Sequence, residues 1–359
     1  MRMGEISATQ ESGGGKRRLT LRDVAHEAGV SLKTASNVIN GSGRMADSTR
    51  AKVEKVIRDM GYRVNVAARN LSRDRTGFIT LAVPSLTPPY LAELANRTID
   101  AARQRGYSVY VTTYAEGSAR GAREVLRSFN STVSDGMILS LGEVDDVTPE
   151  DLEVDFPLVA VGARSTWGKA DHVTPDDVQA AASASAYLFD HGARSLAVVG
   201  AREPFDEGAL LESVEGNAQL RLRGVIEESR RRGMVLDPRL VGLTGRDWTI
   251  GAGARAAQKL VNSGISFDGI IALNDQLAIG VLSVLRASGL RVPDDVQVIG
   301  FDNIEESAYL QIPLTTMDSR LDWTAPTAVG CILGRIQGDA AEPKLLTTPS
   351  SVIVRSSTR

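Results

Sequence analysis

The sequence predicts an all-α head of three helices joined to a larger α/β body of two lobes, each on a parallel, doubly wound sheet. Three observations carry this reading. Residues 20–40 hold two short amphipathic patterns separated by one glycine. From Gly77 onward, apolar runs alternate with helical patterns. Charge is divided unevenly between the two parts. A chain of 359 residues also exceeds one ordinary domain.

In the head, Thr20 is placed to cap a first helix whose apolar side is Leu21, Val24, Ala25 and Ala28. Gly29 supplies the positive φ that a tight turn between crossed helices demands. Ser31 caps a second helix, with Ala35, Val38 and Ile39 inward and Lys33, Thr34, Ser36 and Asn37 outward. Ala25 is small enough to let the helices cross closely. Two such helices form the frame of a DNA-binding helix-turn-helix, the outward face of the second entering the major groove. A third helix is expected from about Ser48 to Met60, with Val53, Val56, Ile57 and Met60 at helical spacing and Gly61 at its end. Residues 62–76 read as a linker with a helical middle at Asn65–Ser72.

Net charge is −3, which alone argues against a nucleic-acid binder. Its distribution argues the other way. Lys16 to Arg75 holds 14 Lys/Arg against 6 Asp/Glu, so the remainder carries −11. A basic head that meets phosphates and an acidic body that does not would be divided in this way.

In the body, strands are expected at 78–83, 109–113, 136–139, 158–161, 196–199, 240–243, 270–273 and 296–301. Helices are expected near 89–105, 119–130, 177–191, 217–232, 250–263 and 276–288, with junctions at Gly106, Gly192, Gly233 and Gly289. Eight such units are too many for one compact open sheet, which points to two similar lobes. A ligand would lie between them, at the carboxyl ends of the strands.

Other classes fit poorly. Gly251–Ala256 satisfies a G-x-G-x-x-A pattern, but the polar Arg246-Asp247-Trp248-Thr249-Ile250 precedes it where a dinucleotide fold needs a buried strand. His26, His172 and His191 are not spaced as metal ligands or beside a nucleophile. No catalytic residue, metal or cofactor is therefore expected. The single Cys331 fits a reducing compartment. The Gly/Ser/Glu-rich start reads as a disordered leader without the apolar core of a signal peptide, and no run suits a membrane span. The expected location is cytoplasmic.

The order of these parts resembles the LacI family of bacterial transcription repressors. The matching segments are Leu-Arg-Asp-Val-Ala-x-x-Ala-Gly-Val-Ser with Ser-Asn-Val-Ile-Asn in the head, and Thr49-Arg50-x-x-Val-x-x-x-Ile-x-x-Met-Gly-Tyr in the third helix. In the body they are Asn274–Gly280, Val298–Asn303 and Leu314–Thr316. The resemblance implies a leader at 1–18, a head at 19–63, a hinge helix and linker at 64–76, and an effector-binding and dimerising body at 77–359. The body would be like the periplasmic sugar-binding proteins, with one lobe of about 77–174 and 320–346 and the other of about 175–319 and 347–359. The implied partners are a palindromic double-stranded DNA operator, a sugar effector and a second copy of the chain, as a dimer or a pair of dimers. The implied role is repression of carbohydrate-utilisation genes. Activation, or a nucleoside or purine ligand, remains open.

By position, the resemblance assigns DNA contacts to Ser31, Leu32, Lys33, Thr34, Ser36, Asn37 and Asn40, and to Asn65, Ala68 and Leu71 in the hinge. Lys33 suits guanine O6 and N7, and Asn37 suits adenine N6 and N7. Many relatives carry Arg at the position of Asn37. Leu71 matches a leucine that wedges open the central base step, and Val64 stands where proline is common. Effector contacts would come from Tyr90, Arg164, Arg221, Trp248, Asn274 and Asp302, polar groups for hydroxyls beside an indole for the C–H face. Four of them have a competing structural use. Asn274 and Asp302 could cap segments after strands, Trp248 could be core, and Arg221, within a helix, could be a surface ion-pair partner. Gly162 and Leu321 stand where relatives place acidic or aromatic ligand contacts.

Overall fold

The computed structural model describes residues 19–39, 43–62, 75–115, 121–141 and 147–359. The chain divides into two compact units, one ending at Thr76 and one beginning at Gly77.

The first unit holds helices α1 (Leu21–Glu27), α2 (Leu32–Ile39) and α3 (Asp47–Met60). Thr20 and Asp23 form a reciprocal capping box at the start of α1. Gly29 turns the chain at φ +61°. Val24, Ala28, Val38 and Val53 form the buried centre, with Val56, Ile57 and Met60 packed around it.

The second unit builds two six-stranded sheets. The first sheet uses β1 (Phe78–Val83), β2 (Ser108–Thr113), β3 (Met137–Ser140), β4 (Leu158–Val161), β5 (Asp171–Pro175) and, much later, β11 (Leu345–Thr348). The second uses β6 (Leu196–Ala201), β7 (Val241–Leu243), β8 (Gly269–Ala272), β9 (Gln297–Phe301), β10 (Thr315–Met317) and β12 (Val352–Ile353). Their orders are equivalent: β2-β1-β3-β4-β5-β11 and β7-β6-β8-β9-β10-β12. All pairs are parallel except β10 with β12. Each order reverses beside its second strand, which opens a crevice at the carboxyl ends of β1 and β3 in one lobe and β6 and β8 in the other.

Helices α4 (Pro89–Gln104), α5 (Gly121–Arg127) and α12 (Leu321–Ile336) belong with the first sheet. Around the second lie α6 (Asp177–Asp190), α7 (Glu207–Glu212), α8 (Asn217–Arg231), α9 (Ile250–Asn262), α10 (Asp275–Ala287) and α11 (Glu305–Ala308). Helices α9 and α10 touch backbone to backbone, because a Cβ on Gly280 would lie 2.1 Å from the Ile250 carbonyl oxygen and one on Gly253 would lie 2.3 Å from that of Leu277.

The described chain passes between the lobes after β5, after β10 and after β11. These passages are joined to one another. The Asp176 amide donates to the Thr348 carbonyl at 3.0 Å, and the Asp318 amide donates to that of Ser351 at 2.9 Å. The Arg320 guanidinium donates to the Pro349 carbonyl at 3.3 Å, and the Ser350 amide donates to Gln179 Oε1 at 3.1 Å.

The eight expected strands form, shifted by a residue or so at some ends. β5, β10, β11 and β12 are additional to them. Thr347 and Thr348 still pair with Thr174 and Pro175 in the first sheet, so the last crossing falls after Thr348 rather than before Thr347.

Candidate functional site

Two surfaces bring together residues singled out in the sequence. In the head, the Ser31 hydroxyl accepts from the Thr34 amide at 3.0 Å and caps α2. Beyond that cap Leu32 is 45% exposed, Lys33 is exposed, and Thr34, Ser36 and Asn37 are half-buried along the outer face. Ala35 and Val38, on the opposite side of the helix, are buried. The Asn37 amide lies against Gly43, where a Cβ would come within 2.7 Å of Nδ2. A helix that buries one side and presents Leu32, Lys33 and Asn37 on the other can enter a major groove. Asn40, Asn65, Ala68 and Leu71 lie outside the described residues, as do the leader and the hinge helix.

In the body, a cavity of about 340 Å³ opens at the carboxyl ends of the strands, between the lobes. Tyr90, Arg221, Trp248, Asn274 and Asp302 all line it. Arg164 is not brought to it: Arg164 pairs with Glu215 at 3.4 Å and lies over the Trp167 ring at 5.7 Å. Arg164 thus joins the first lobe to Glu215 of the second and is not among the residues that line the cavity.

Arg221 organises the second-lobe wall. Helix α8 carries it inward, where it is buried. Its Nε donates to Asp177 Oδ1 at 2.7 Å and its Nη1 donates to the Leu273 carbonyl. Its Nη2 stands 3.8 Å from Asp302 Oδ1. The guanidinium lies 4.5 Å from the Phe301 ring centre and 5.8 Å from that of Trp248. Burial works against its charge, but Asp177 and Asp302 more than offset this and raise its pKa. Asp177 is a site residue that the sequence did not disclose. Buried at the start of α6, it also accepts from Asn217 Nδ2 at 2.8 Å. After Pro175-Asp176, a second acidic residue reads only as a helix-dipole partner.

The other residues show how structural and ligand-facing uses combine. Asn274 Oδ1 caps α10 by accepting from the Leu277 amide at 2.8 Å, while its Nδ2 donates to the Trp248 carbonyl at 3.0 Å. Asn274 therefore holds the loop of Trp248 as well as bordering the cavity. The Trp248 indole donates to the Gly200 carbonyl at 3.0 Å, which fixes its ring at the wall. Tyr90, at the start of α4, has its hydroxyl pKa raised by burial and by the nearby Asp302 and Asp177 charges.

Asp302 follows β9 at φ +102°, backbone that a side chain rarely adopts. Burial pushes its carboxyl up to about 6, against the pull of Arg221 and with a further push from Asp177. Such a carboxyl binds its proton more tightly folded than unfolded. Stability is therefore lost as pH rises from near 3.8 to about 6, and stays lower above that. Asp302→Asn is expected to raise the melting temperature of the unliganded protein at pH 7, by a stabilisation on the order of 1–3 kcal/mol. It should also flatten the stability profile across that window. Calorimetry at several pH values checks this, and an unchanged slope would assign it to other groups such as the buried Asp275.

No group of three or more His, Cys, Asp and Glu among the described residues is arranged to hold a metal. No described helix is long and apolar enough to cross a membrane.

Two family models match the chain: bacterial regulatory proteins of the lacI family over residues 20–65, and a periplasmic binding protein-like domain over residues 185–358. A solved LacI-type transcription regulator from Bifidobacterium animalis subsp. lactis is 33% identical, with a TM-score of 0.75, covering 79% of this chain and 99% of its own. The HTH-type transcriptional repressor CytR of Escherichia coli is 27% identical over 341 residues, 95% of this chain and 96% of that protein. The ribose operon repressor of the same species is 28% identical over 333 residues, 92% and 97% respectively.

Proposed function

Because the chain belongs to the LacI family of bacterial transcription regulators, which are not enzymes, we propose that it is a cytoplasmic repressor whose hold on a palindromic operator is set by a small hydroxylated effector. The head of residues 19–63 reads the DNA as one half of a dimer, residues 64–76 form the hinge, and residues 77–359 bind the effector. One observation carries the ligand half of this reading. The cavity between the lobes collects a carboxylate, a buried guanidinium and an indole within one wall, the combination that suits hydroxyls and the C–H face of a sugar ring. The name of the ribose operon repressor agrees with a sugar-type signal. Asp302 and Arg221 take hydroxyls, and the Trp248 ring covers an apolar edge.

Effector binding shifts operator affinity only by its differential affinity for the two states of the dimer. The direct test measures operator binding by the full-length protein with and without sugars, sugar acids, nucleosides and purines. A true effector changes the operator affinity and raises the melting temperature with concentration. A panel without effect on either would overturn the effector role of the cleft. Reporter expression from the native promoter after gene deletion separates repression from activation, since loss of a repressor raises it.

The DNA half yields a sharper expectation. Asn37→Arg should move the preferred base at one position of each half-site from adenine to guanine, a discrimination of about 1–3 kcal/mol. Selection from a library of randomised half-sites reads this directly. Preferences left unchanged would remove Asn37 from the base-reading set.

A further inference from the structure

Asn37 does not stand alone on the outer face of α2. Its side chain lies against Gly43, in the connection that leads from α2 to α3. Among the described residues, and apart from its neighbours in the chain, the three atoms that a Cβ on Gly43 would meet first all belong to Asn37. They are Nδ2 at 2.7 Å, Cγ at 3.2 Å and Cβ at 3.5 Å. The Asn37 amide therefore occupies the space that a side chain at position 43 would take. Gly43 is exposed and Asn37 is half-buried, so the contact lies at the surface of the unit, apart from its centre of Val24, Ala28, Val38 and Val53.

A left-handed turn alone does not produce this contact. Gly61, at the end of α3, has φ +64° against +80° at Gly43, and a Cβ there would meet no described atom within 4 Å. Gly43 thus combines two separable properties, a left-handed backbone and an empty side-chain position that Asn37 fills. The second bears on DNA. A bidentate pair with adenine needs the amide oxygen and nitrogen at hydrogen-bond distance from N6 and N7 together. A turn of the amide plane, or a shift of Cγ, breaks one of the two bonds. A Cβ at position 43 would have to push Nδ2 from 2.7 Å out to an ordinary contact of at least 3.4 Å, or send the side chain into another staggered rotamer. What gives way is the end of a side chain and not backbone, so the fold loses little and base reading loses much.

We propose that Gly43 is a positioning residue for base readout. By leaving its side-chain position empty, it holds the Asn37 amide in the direction from which it pairs with adenine. This rests on Asn37 being a base reader. The effect of Gly43 on specificity passes through Asn37 and needs no contact of its own with DNA.

The test selects from randomised half-sites with the full-length protein and its variants, and measures affinity for a random-sequence duplex alongside. Gly43→Ala should lower the discrimination for adenine at the Asn37 base pair about tenfold, and leave that at the Lys33 base pair within about twofold. Binding to the random duplex, which depends on charge, should not change. Gly43→Asn adds the same Cβ in a residue that tolerates positive φ, and should lower the same preference with less strain on the turn. Gly61→Ala carries the backbone cost without the contact and should leave every preference in place. Added to Asn37→Ala, Gly43→Ala should change nothing further, because the side chain it displaces is gone. An adenine preference kept by both Gly43 variants overturns the inference and leaves Asn37 standing as a reader. So does a Gly43→Ala effect of equal size with and without Asn37. A base preference that survives Asn37→Ala overturns both readings.

Discussion

Replacing Arg221 by methionine is expected to destabilise the body by about 3–5 kcal/mol, the cost of breaking a buried ion pair from one side. The substitution is also expected to remove the effector response proposed for the cleft. Asp177 would keep only the Asn217 amide as a side-chain donor, at a position 4% exposed, and the Leu273 carbonyl would lose the donor that Arg221 supplies. The loss therefore falls on α6, α8 and the end of β8 together. Urea unfolding followed by tryptophan fluorescence measures it. The double variant Arg221→Met, Asp177→Asn should recover much of the stability, because the stranded carboxylate is gone. It should not recover ligand binding, since the guanidinium that faces Asp302 is still absent. Recovery of both would show that Arg221 serves the fold alone.

A comparable loss is expected from Gly280→Val, which touches no ligand. A Cβ there would lie 2.1 Å from the Ile250 carbonyl oxygen and 2.5 Å from the Ala254 amide nitrogen. Neither neighbour is a flexible side-chain end, so α9 and α10 must separate. Overpacking a well-packed core costs about 1–3 kcal/mol and sometimes more, and rigid backbone on both sides places this case at the upper end. The displacement also reaches the site, because Asn274 caps α10 and holds the Trp248 loop. Gly251→Ala is the control on the neighbouring helix. Gly251 is exposed, its nearest neighbour is the end of the Arg255 side chain at 3.3 Å, and alanine there should stabilise by about 0.4–1 kcal/mol. Thermal melts of the two variants should move in opposite directions, and equal behaviour would deny the close contact its cost.

The strands most legible in the sequence are those whose burial comes from their own side chains, such as Phe78–Val83 and Leu158–Val161. β5 is illegible for the opposite reason. Asp171-His172-Val173-Thr174-Pro175 is polar, yet its first four residues are buried. Asp171 is satisfied by Arg335, at 2.8 and 2.9 Å, and by the Lys344 amide at 2.9 Å, partners more than 160 residues away. No local window contains that information. Part of α12 is legible as an apolar helical run around Cys331, but Pro326 obscures its start, which is held by packing against the first sheet. Within the candidate site, the family resemblance points to Arg221, Trp248, Asn274 and Asp302, and the cap that Asn274 supplies to α10 is legible from its place after a strand, but its second bond, to the Trp248 carbonyl, is not. Asp177 is hidden because a buried acid and a helix-start acid have the same letter. Arg164 is drawn elsewhere by Glu215, a pairing set by the fold.

The three passages between the lobes have a mechanical consequence. Independent tethers would let the lobes slide, twist and bend, each at little cost. Here Asp176 is bonded to Thr348, Asp318 to Ser351 and Arg320 to Pro349, so sliding one passage past another means breaking these links. Opening the cleft must in addition part the Gly216 amide from the Ala163 carbonyl, and Arg164 and Ser165 from Glu215, contacts that join the lobes outside the band. Bending that keeps the band intact is therefore expected to be the easiest motion, and a distance followed between a point on each lobe would test it.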